Sequence, residues 1–264
     1  FIASSDPFLF QVAAVVRSVF LRSPFVVVIV ACGVAVGPGA VRTAAQPQQV
    51  ASWPPALERG ASADGLDEQV LRGVYHVDAP AFRLAMRGAD KSSYPVFVGA
   101  PIVAWGAWLA RGREDGQAAY RLTVAQVAAY GAVSGLKALV RRPRPYATLP
   151  DIRSRSPRYS PLGPEGDSFA FPSGHATMSF AIVTAWSLSH PEWYVIGPGA
   201  VWASAVSLSR VWLGVHYPSD VLAGATLGTA LAVGVHLIAP SITPGFLQEN
   251  TATSLPMMHL QVRF

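Results

Sequence analysis

The stretch from residue 168 to residue 248 contains only three charged side chains, Glu192, Arg210 and Asp220. Across the whole chain 51% of residues are hydrophobic and 13% are charged, whereas a typical soluble domain carries about 25% charged residues. Ionisable groups are costly in apolar surroundings, so the few that occur there are candidates for function. The composition predicts a chain that lies largely in lipid, with a soluble helical bundle of long core helices as the alternative.

Five apolar segments divide this half of the chain and the region before it. Each is about 15 to 23 residues long, close to the length of a membrane-spanning helix. Glycine and alanine are frequent in them, as is common where helices pack closely in lipid. We therefore predict an all-α helical bundle with five or six transmembrane helices, built on residues 94–110, 118–140, 175–189, 193–213 and 220–239.

The N-terminal region is predicted to be a signal peptide or an N-terminal anchor, covering residues 1–45. Its apolar run at 24–36 is short for a membrane span and fits the core of a signal peptide. The residues Ile-Val-Ala-Cys at 29–32 also resemble a lipobox, which would make Cys32 a lipidation site. The following divisions are a linker at 46–66, an amphipathic segment at 67–90, a helical domain at 91–240 and a C-terminal tail at 241–264.

The charge pattern argues against two classes of protein. The net charge is +5, with 18 arginines and two lysines, but there is no basic tail and no basic stretch interleaved with aromatic residues. Nucleic acid is therefore not an expected partner. A single cysteine, Cys32, excludes an internal disulfide and a zinc site with several cysteine ligands.

Three short motifs carry the chemistry of this chain. Residues 137–145 read Lys-Ala-Leu-Val-Arg-Arg-Pro-Arg-Pro, and residues 172–175 read Pro-Ser-Gly-His. The third has Ser209-Arg210, five residues, His216, three residues and Asp220. Pro-Ser-Gly-His alone arises by chance on the order of once per 10⁵ positions, so three such motifs in one chain are not accidental.

Together these motifs resemble the signature of the type 2 phosphatidic acid phosphatase (PAP2) superfamily. That signature is Lys, six residues, Arg-Pro; then Pro-Ser-Gly-His; then Ser-Arg, five residues, His, three residues, Asp, and every fixed position is present in order. The resemblance implies a bacterial membrane-associated member of the family, with the catalytic domain at 91–240. It also implies phosphatase chemistry with no cofactor and no metal.

A phosphate ester carries negative charge that must be held during reaction, and basic side chains and a helix start suit that task. Pro172 and Ser173 predict that a helix begins here, with Ser173 as its N-cap. With these physical reasons, the resemblance predicts phosphate binding by Lys137, Arg144, Ser173, Gly174 and Arg210. Arg141 and Arg142 fall outside the signature and are interpreted as side chains that reach the membrane interface.

His216 and Asp220 lie four residues apart, with Pro218 at a predicted first helical position. One helical turn would let the carboxylate reach the imidazole and fix its tautomer. The resemblance then makes His216 the nucleophile, His175 the proton donor to the leaving oxygen and Asp220 the partner of His216. The predicted catalytic residues are thus His216, His175 and Asp220.

The predicted function is metal-independent hydrolysis of phosphate monoesters or diphosphates, most naturally of lipids, through a phosphohistidine. Its partners would be a phosphorylated lipid or small phosphate ester and membrane lipid. The alternatives are a soluble periplasmic acid phosphatase of broad specificity and a non-catalytic protein that binds or transports lipid phosphates. A vanadium haloperoxidase shares the site motifs, but the apolar segments argue against it.

The predicted location is the bacterial inner membrane, with the site facing the periplasm. If residues 111–116 lie in the cytoplasm, all three motifs emerge on the outer face. Six arginines between residues 141 and 158 oppose this orientation, because basic residues favour the cytoplasmic side.

Overall fold

The computed structural model describes residues 65–111, 113–156 and 169–247. These residues form seven α-helices and a short 3₁₀ turn at Gly245–Leu247, so the predicted all-α fold is confirmed. The predicted signal or anchor segment, Cys32, most of the linker and most of the C-terminal tail lie outside the described residues. The helices are α1 (Leu66–Tyr75), α2 (Pro80–Arg111), α3 (Arg113–Val140), α4 (Pro145–Thr148), α5 (Gly174–Ser189), α6 (Trp193–Trp212) and α7 (Pro218–Ile242).

The five predicted apolar segments correspond to α2, α3, α5, α6 and α7. Helix α2 is much longer than the predicted segment at 94–110, because it begins at Pro80 and continues without a break to Arg111. A proline is tolerated at the first helical position, since the N–H that it lacks would have no partner inside the helix. The predicted boundary between residues 90 and 91 therefore falls inside a helix.

Three helices within the described ranges are long and apolar enough to cross a membrane. They are Pro80–Ala110, Asp115–Val140 and Pro218–Ile242. Their outward faces carry exposed apolar side chains such as Leu109, Tyr130 and Leu237, which suits a lipid environment rather than water. The protein is a membrane protein.

Helix α5 is the centre of the bundle, because it packs against α2, α3, α6 and α7. Its contact with α7 depends on two glycines spaced four residues apart. A Cβ atom at Gly224 would lie 2.6 Å from the carbonyl oxygen of Ser173, and one at Gly228 would lie 2.2 Å from that of Thr177. Small residues at this spacing let two helix backbones approach closely. The start of α5 is thereby held against the first turns of α7.

Helix α1 packs across one end of the bundle rather than along it. Its Leu71 is fully buried and its Tyr75 nearly so, in a cluster with residues from α5, α6, α7 and the connection after α4. Full burial of one leucine side chain contributes about 1.5–3 kcal/mol. Because this is the end at which α5 and α7 begin, α1 lies next to the predicted site.

Candidate active site

The predicted site residues come from distant parts of the sequence but from the same end of the bundle. Lys137 lies in the last turn of α3 and Arg210 in the last turn of α6. Ser173 precedes α5, and Asp220 lies in the first turn of α7. Antiparallel neighbours place the end of one helix beside the start of the next. The structure thus brings together all eight: Lys137, Arg144, Ser173, Gly174, His175, Arg210, His216 and Asp220.

His216 lies in the short connection between α6 and α7 and is 1% exposed. Gly214 makes this connection tight: its φ is +71°, and a Cβ atom would lie 2.9 Å from the carbonyl oxygen of Arg153. Pro218 occupies the first turn of α7 as predicted. The turn therefore points His216 into the bundle rather than toward the surrounding solvent or lipid.

The two ring nitrogens of His216 face different groups. Nδ1 lies 3.7 Å from Oδ2 of Asp220, which is too far for a hydrogen bond, and Nε2 lies 3.1 Å from Nη1 of Arg144. Since a guanidinium can only donate, Nε2 must accept, and the proton of a neutral ring is assigned to Nδ1, on the Asp220 side. Nε2, the nitrogen that could attack phosphorus, therefore accepts a hydrogen bond from Arg144, which is a predicted phosphate-binding residue.

His216 is held neutral by its surroundings. Burial, followed by the positive charges of Arg144, Lys137 and Arg210, lowers the pKa of its imidazole well below the ordinary value of about 6.5. A neutral imidazole has the lone pair that a nucleophile needs. The same cations that would attract a phosphate group therefore also keep His216 unprotonated near neutral pH.

Two arginines form the fully buried cationic part of the site. Arg144 donates from Nη1 to the carbonyl oxygen of Val215 at 2.9 Å as well as to His216. Arg210 donates from Nη1 to Asp90 of α2. Asp90 was not among the predicted site residues, because it lies outside the motifs and 120 positions before its partner.

Ser173 occupies the predicted N-cap position, but its side chain does not cap the helix. Its hydroxyl is completely buried and has no hydrogen-bond partner among the described residues. Its backbone N–H donates to the carbonyl oxygen of Asp220 at 2.9 Å. An unpartnered buried hydroxyl is costly, and a bound phosphate oxygen would satisfy it.

A cavity of about 430 Å³ opens onto these groups. Its polar floor is formed by Lys137, Gly174, His175 and His216. The ring of His175 is held edge-on against Tyr94 and Phe97, with centroids 5.2 and 5.7 Å away. The rest of the lining is mostly apolar, and we call it the apolar wall: Tyr94, Phe97, Val98, Tyr130, Val133 and Met178.

The interpretation of Arg142 as an interface side chain is wrong. Its Nη1 donates to Oδ1 of Asp220 at 2.7 Å, and its Nη2 donates to Oδ2 of Asp67 at 2.7 Å. A buried carboxylate such as Asp220 requires a charged or hydrogen-bonding partner, and Arg142 supplies it. The signature does not include Arg142, and Asp67 lies 75 positions before Arg142 in the sequence. The motifs therefore predicted a role for neither residue.

Within the described ranges, no three His, Cys, Asp or Glu side chains are grouped as a metal site would require. The acidic side chains near the site, Asp67, Asp90 and Asp220, are each paired with an arginine. The metal-free mechanism stays a prediction that an assay can test.

Comparison with known proteins gives the class. Residues 118–243 match the model of the PAP2 superfamily, and all three motifs fall within that range. The match agrees with the family that the motifs resemble.

Several characterised relatives match shorter stretches. Over 104 residues the chain is 38% identical to the bacitracin transport permease protein BcrC of Bacillus licheniformis, covering 38% of this chain and 45% of that protein. Over 68 residues it is 41% identical to an undecaprenyl-diphosphatase of Sulfolobus acidocaldarius, covering 26% and 32%. Over 119 residues it is 38% identical to a lipid A 4'-phosphatase of Bacteroides thetaiotaomicron, covering 45% and 51%. The chain spans about half or less of the length of these relatives.

Two solved structures share the fold. One is a transmembrane PAP2-type phosphatidylglycerolphosphate phosphatase from Bacillus subtilis, with a TM-score of 0.51, 25% identity, and coverage of 68% of this chain and 87% of that one. The other is Aquifex aeolicus LpxE, with a TM-score of 0.52, 23% identity, and coverage of 66% and 96%. At these identities the likeness supports the helical membrane fold.

Proposed function

We propose that this protein is a metal-independent lipid phosphatase that hydrolyses phosphate monoesters or diphosphates through a phosphohistidine intermediate. One observation carries the proposal: His216 presents Nε2 beside Arg144 and Nδ1 beside Asp220, at the base of a cavity that also contains His175 and Lys137. A nucleophile, an orienting carboxylate, a second histidine and cations around one space are the parts that phosphoryl transfer requires.

In the first step the phosphate oxygens bind Arg144, Arg210, Lys137 and the Ser173 hydroxyl. Arg144 then donates its hydrogen bond to the phosphate instead of to His216. This leaves the Nε2 lone pair of His216 free to react. Nε2 forms a bond to phosphorus as the bond from phosphorus to the lipid oxygen breaks. The leaving oxygen takes a proton from protonated His175, so a neutral lipid alcohol departs. For a diphosphate, the leaving group is the lipid monophosphate.

In the second step a water molecule attacks the phosphohistidine from the side that the lipid has left. His175, now neutral, accepts a proton from the water. The bond from phosphorus to Nε2 breaks, inorganic phosphate leaves and His216 is restored. Asp220 stabilises the positive charge that the His216 ring carries while it is phosphorylated, because its carboxylate lies on the Nδ1 side.

The apolar wall supports a lipid rather than a water-soluble substrate. Val98 and Tyr130, on α2 and α3, line the cavity and are 62% and 70% exposed. The cavity therefore opens between two helices that are each long enough to span a membrane. A lipid could place its phosphate at the polar floor while its chain stays in contact with this wall. Two of the relatives are named for a lipid substrate, undecaprenyl diphosphate and lipid A.

We further propose that the site faces the periplasm from the bacterial inner membrane. The arginines after α3 oppose this orientation less than their number indicated. Arg142 and Arg144 bind inside the site, and Arg155 stacks on the rings of Tyr75 and Trp212 at 3.8 and 4.8 Å. Arginines that are held by intramolecular partners are a weaker signal of the cytoplasmic side than solvated ones.

A transporter is the second candidate, because one relative is named a transport permease. A protein that only binds lipid phosphate needs the cations but not a neutral His216 oriented by Asp220. Release of inorganic phosphate separates the two: an enzyme releases it over many turnovers, and a transporter does not.

The decisive experiment is phosphate release by the purified protein in detergent, with and without EDTA. Lipid diphosphates and monophosphates would be compared with a short-chain soluble ester. We expect turnover that EDTA leaves unchanged, a higher kcat/KM for the lipids, and an acid-labile phosphoenzyme in rapid-quench samples.

The matched variants are His216→Ala and His236→Ala. The first removes the nucleophile and should lower kcat by about 10³-fold or more and abolish the phosphoenzyme. His236 lies farther along α7, away from the site, and its variant should retain parental turnover. Full activity in His216→Ala, or complete loss of activity in EDTA, would contradict the proposed mechanism.

A further inference from the structure

We infer that Asp67 and Arg142 are positioning residues for the reaction, which hold Asp220 in the orientation that His216 requires. The inference rests on the proposed phosphohistidine chemistry, since it assigns a purpose to the orientation of Asp220. Neither residue belongs to the signature, and neither lines the cavity. Their importance comes from a continuous chain of contacts that begins on α1 and ends at the nucleophile.

The first link is Arg142, which contacts three groups at once. Its Nη1 donates at 2.7 Å both to Oδ1 of Asp220 and to Oγ of Ser219, and its Nη2 donates at 2.7 Å to Oδ2 of Asp67. Its guanidinium also lies 4.0 Å above the centre of the Tyr217 ring. The planar fork of an arginine can bridge two carboxylates in a fixed geometry, which a lysine cannot do. Arg142 is therefore a rigid bridge between Asp67 and Asp220.

The second link is Asp67, which ties α1 to the first turn of α7. Its Oδ1 accepts from the backbone N–H of Ser219 at 2.9 Å, and its Oδ2 accepts from the Ser219 hydroxyl. Carboxylates are favoured at helix starts, where N–H groups lack partners. Burial raises the pKa of the Asp67 carboxyl, but the hydrogen bonds from Ser219 and Arg142 outweigh this, and the pKa lies below its ordinary value. Asp67 is therefore a charged anchor at neutral pH.

The third link is the carboxylate of Asp220, whose two oxygens have separate roles. Oδ1 accepts from Arg142. Oδ2 accepts from the backbone N–H of Tyr217 at 2.8 Å and lies 3.7 Å from Nδ1 of His216. With one oxygen fixed by Arg142 and the other by the backbone, the carboxylate plane cannot rotate. Without Arg142, Asp220 would be a fully buried carboxylate held only by the backbone N–H of Tyr217, and its plane could rotate about that single contact.

The net charge beside His216 explains why the site requires Asp67 as well as Arg142. Arg142 alone would neutralise the charge of Asp220, and a neutral Arg142–Asp220 pair would stabilise a positively charged His216 ring poorly. Asp67 shares the charge of Arg142, so the three side chains together carry one negative charge beside His216. That charge offsets the positive charge that the ring gains when Nε2 bonds to phosphorus. Asp67→Asn keeps the shape of the anchor but removes this charge.

The test compares the Asp67–Arg142 link with a second ion pair that docks the same helix. Arg72 of α1 donates from Nε to Oδ2 of Asp151 at 2.9 Å, a pair separate from the hydrogen bonds of the Asp220 carboxylate described above. Asp151→Asn therefore weakens the attachment of α1 without reaching the nucleophile. Four variants would be compared with the parent in the full chain: Asp67→Asn, Arg142→Gln, Arg142→Lys and Asp151→Asn.

The first readout is the rate of phosphoenzyme formation in a single turnover, with KM and the thermal midpoint measured beside it. Misplacing a catalytic group costs on the order of 10–100-fold in rate. We expect Arg142→Gln to fall in that range, with Arg142→Lys and Asp67→Asn near its lower end and KM changed less than about threefold. Asp151→Asn should keep the parental rate even where its thermal midpoint falls as far as that of Asp67→Asn.

The second readout does not depend on turnover. In ¹⁵N spectra recorded with saturating inorganic phosphate, which would draw Arg144 away from Nε2, His216 of the parent and of Asp151→Asn should show a single tautomer with the proton on Nδ1, and Arg142→Gln should show a mixture. Parental rates and a single tautomer in the Arg142 variants would overturn the inference. Equal rate losses in Asp67→Asn and Asp151→Asn would overturn it as well. A parent that forms no phosphoenzyme but shows these tautomer changes would contradict the proposed function and leave the positioning role supported.

Discussion

The polar floor and the apolar wall of the cavity are built in opposite ways. His216 on the floor is 1% exposed, and Arg144, Arg210 and Asp220, which lie behind it, are fully buried and are each hydrogen-bonded to another part of the chain. On the wall, Val98 and Tyr130 are more than half exposed and make no hydrogen bond that fixes them. The floor is therefore determined by many mutually dependent contacts, whereas the wall is determined only by which faces of α2 and α3 turn outward.

This difference separates chemistry from substrate choice. A group in a dense polar network cannot move without breaking hydrogen bonds to buried partners, so the floor keeps its geometry. Apolar side chains at the outer surface of a helix can change size at little cost in stability. Changes on the floor should therefore alter the rate of reaction or the fold, and changes on the wall should alter which substrate binds. Three experiments examine this division.

The largest effect is expected where the floor depends on close helix packing. Gly228→Val would place a Cβ atom 2.2 Å from the carbonyl oxygen of Thr177, which forces α5 and α7 apart. Overpacking of this kind costs about 3 kcal/mol and should lower the thermal midpoint in detergent by roughly 10 °C. Activity should fall with it, because His175 and His216 lie on opposite sides of that contact.

The control for this variant lies on the same helix. A Cβ atom at Gly234 would meet nothing within 4 Å, so Gly234→Ala should leave the midpoint unchanged or raise it slightly. If both variants unfold at the parental temperature, the glycine contact does not hold the floor together.

A smaller and more selective effect is expected at the wall. Val98→Trp would narrow the opening and should raise KM for long-chain lipid phosphates by about tenfold, with kcat and the hydrolysis of a short soluble ester unchanged. Ile102, one helical turn farther along α2, is 66% exposed and does not line the cavity. Ile102→Trp adds the same ring to the same helix and should have no effect. Equal changes for the soluble ester and the lipid would show that the wall does not select the chain.

The smallest effect concerns the protonation of the floor. Because burial and the surrounding cations lower the pKa of His216, its imidazole should stay neutral as the pH falls through 6.5. The unfolded chain takes up a proton on this residue near pH 6.5, and the folded chain does not until a lower pH. Stability should therefore decline as the pH falls between those two values. Titration of His216 by ¹⁵N NMR, with its signal assigned from His216→Gln, checks this directly. A titration midpoint at or above pH 6.5 would contradict the conclusion that burial and the nearby cations lower the pKa of His216.

Much of the fold follows from the sequence, because its segments are so apolar. An uncharged stretch has to be buried in protein or lipid, and only regular helices satisfy its backbone there. The sequence places glycines at 224 and 228, but it does not reveal which helix they contact. The start of α2 at Pro80 was missed, because a proline can break a helix or begin one, and only packing decides between them.

The sequence by itself predicted the candidate site, since three rare motifs named eight residues that the structure brings to one place. It could do so because phosphoryl transfer requires those residue types whatever surrounds them. Only the tertiary structure decided how the set is held: Asp90 against Arg210, and Asp67 through Arg142 against Asp220. A buried charge requires an opposite charge nearby, but that partner can come from any helix that reaches it. Such a partner leaves no local pattern in the sequence, and it becomes visible only when the chain is folded.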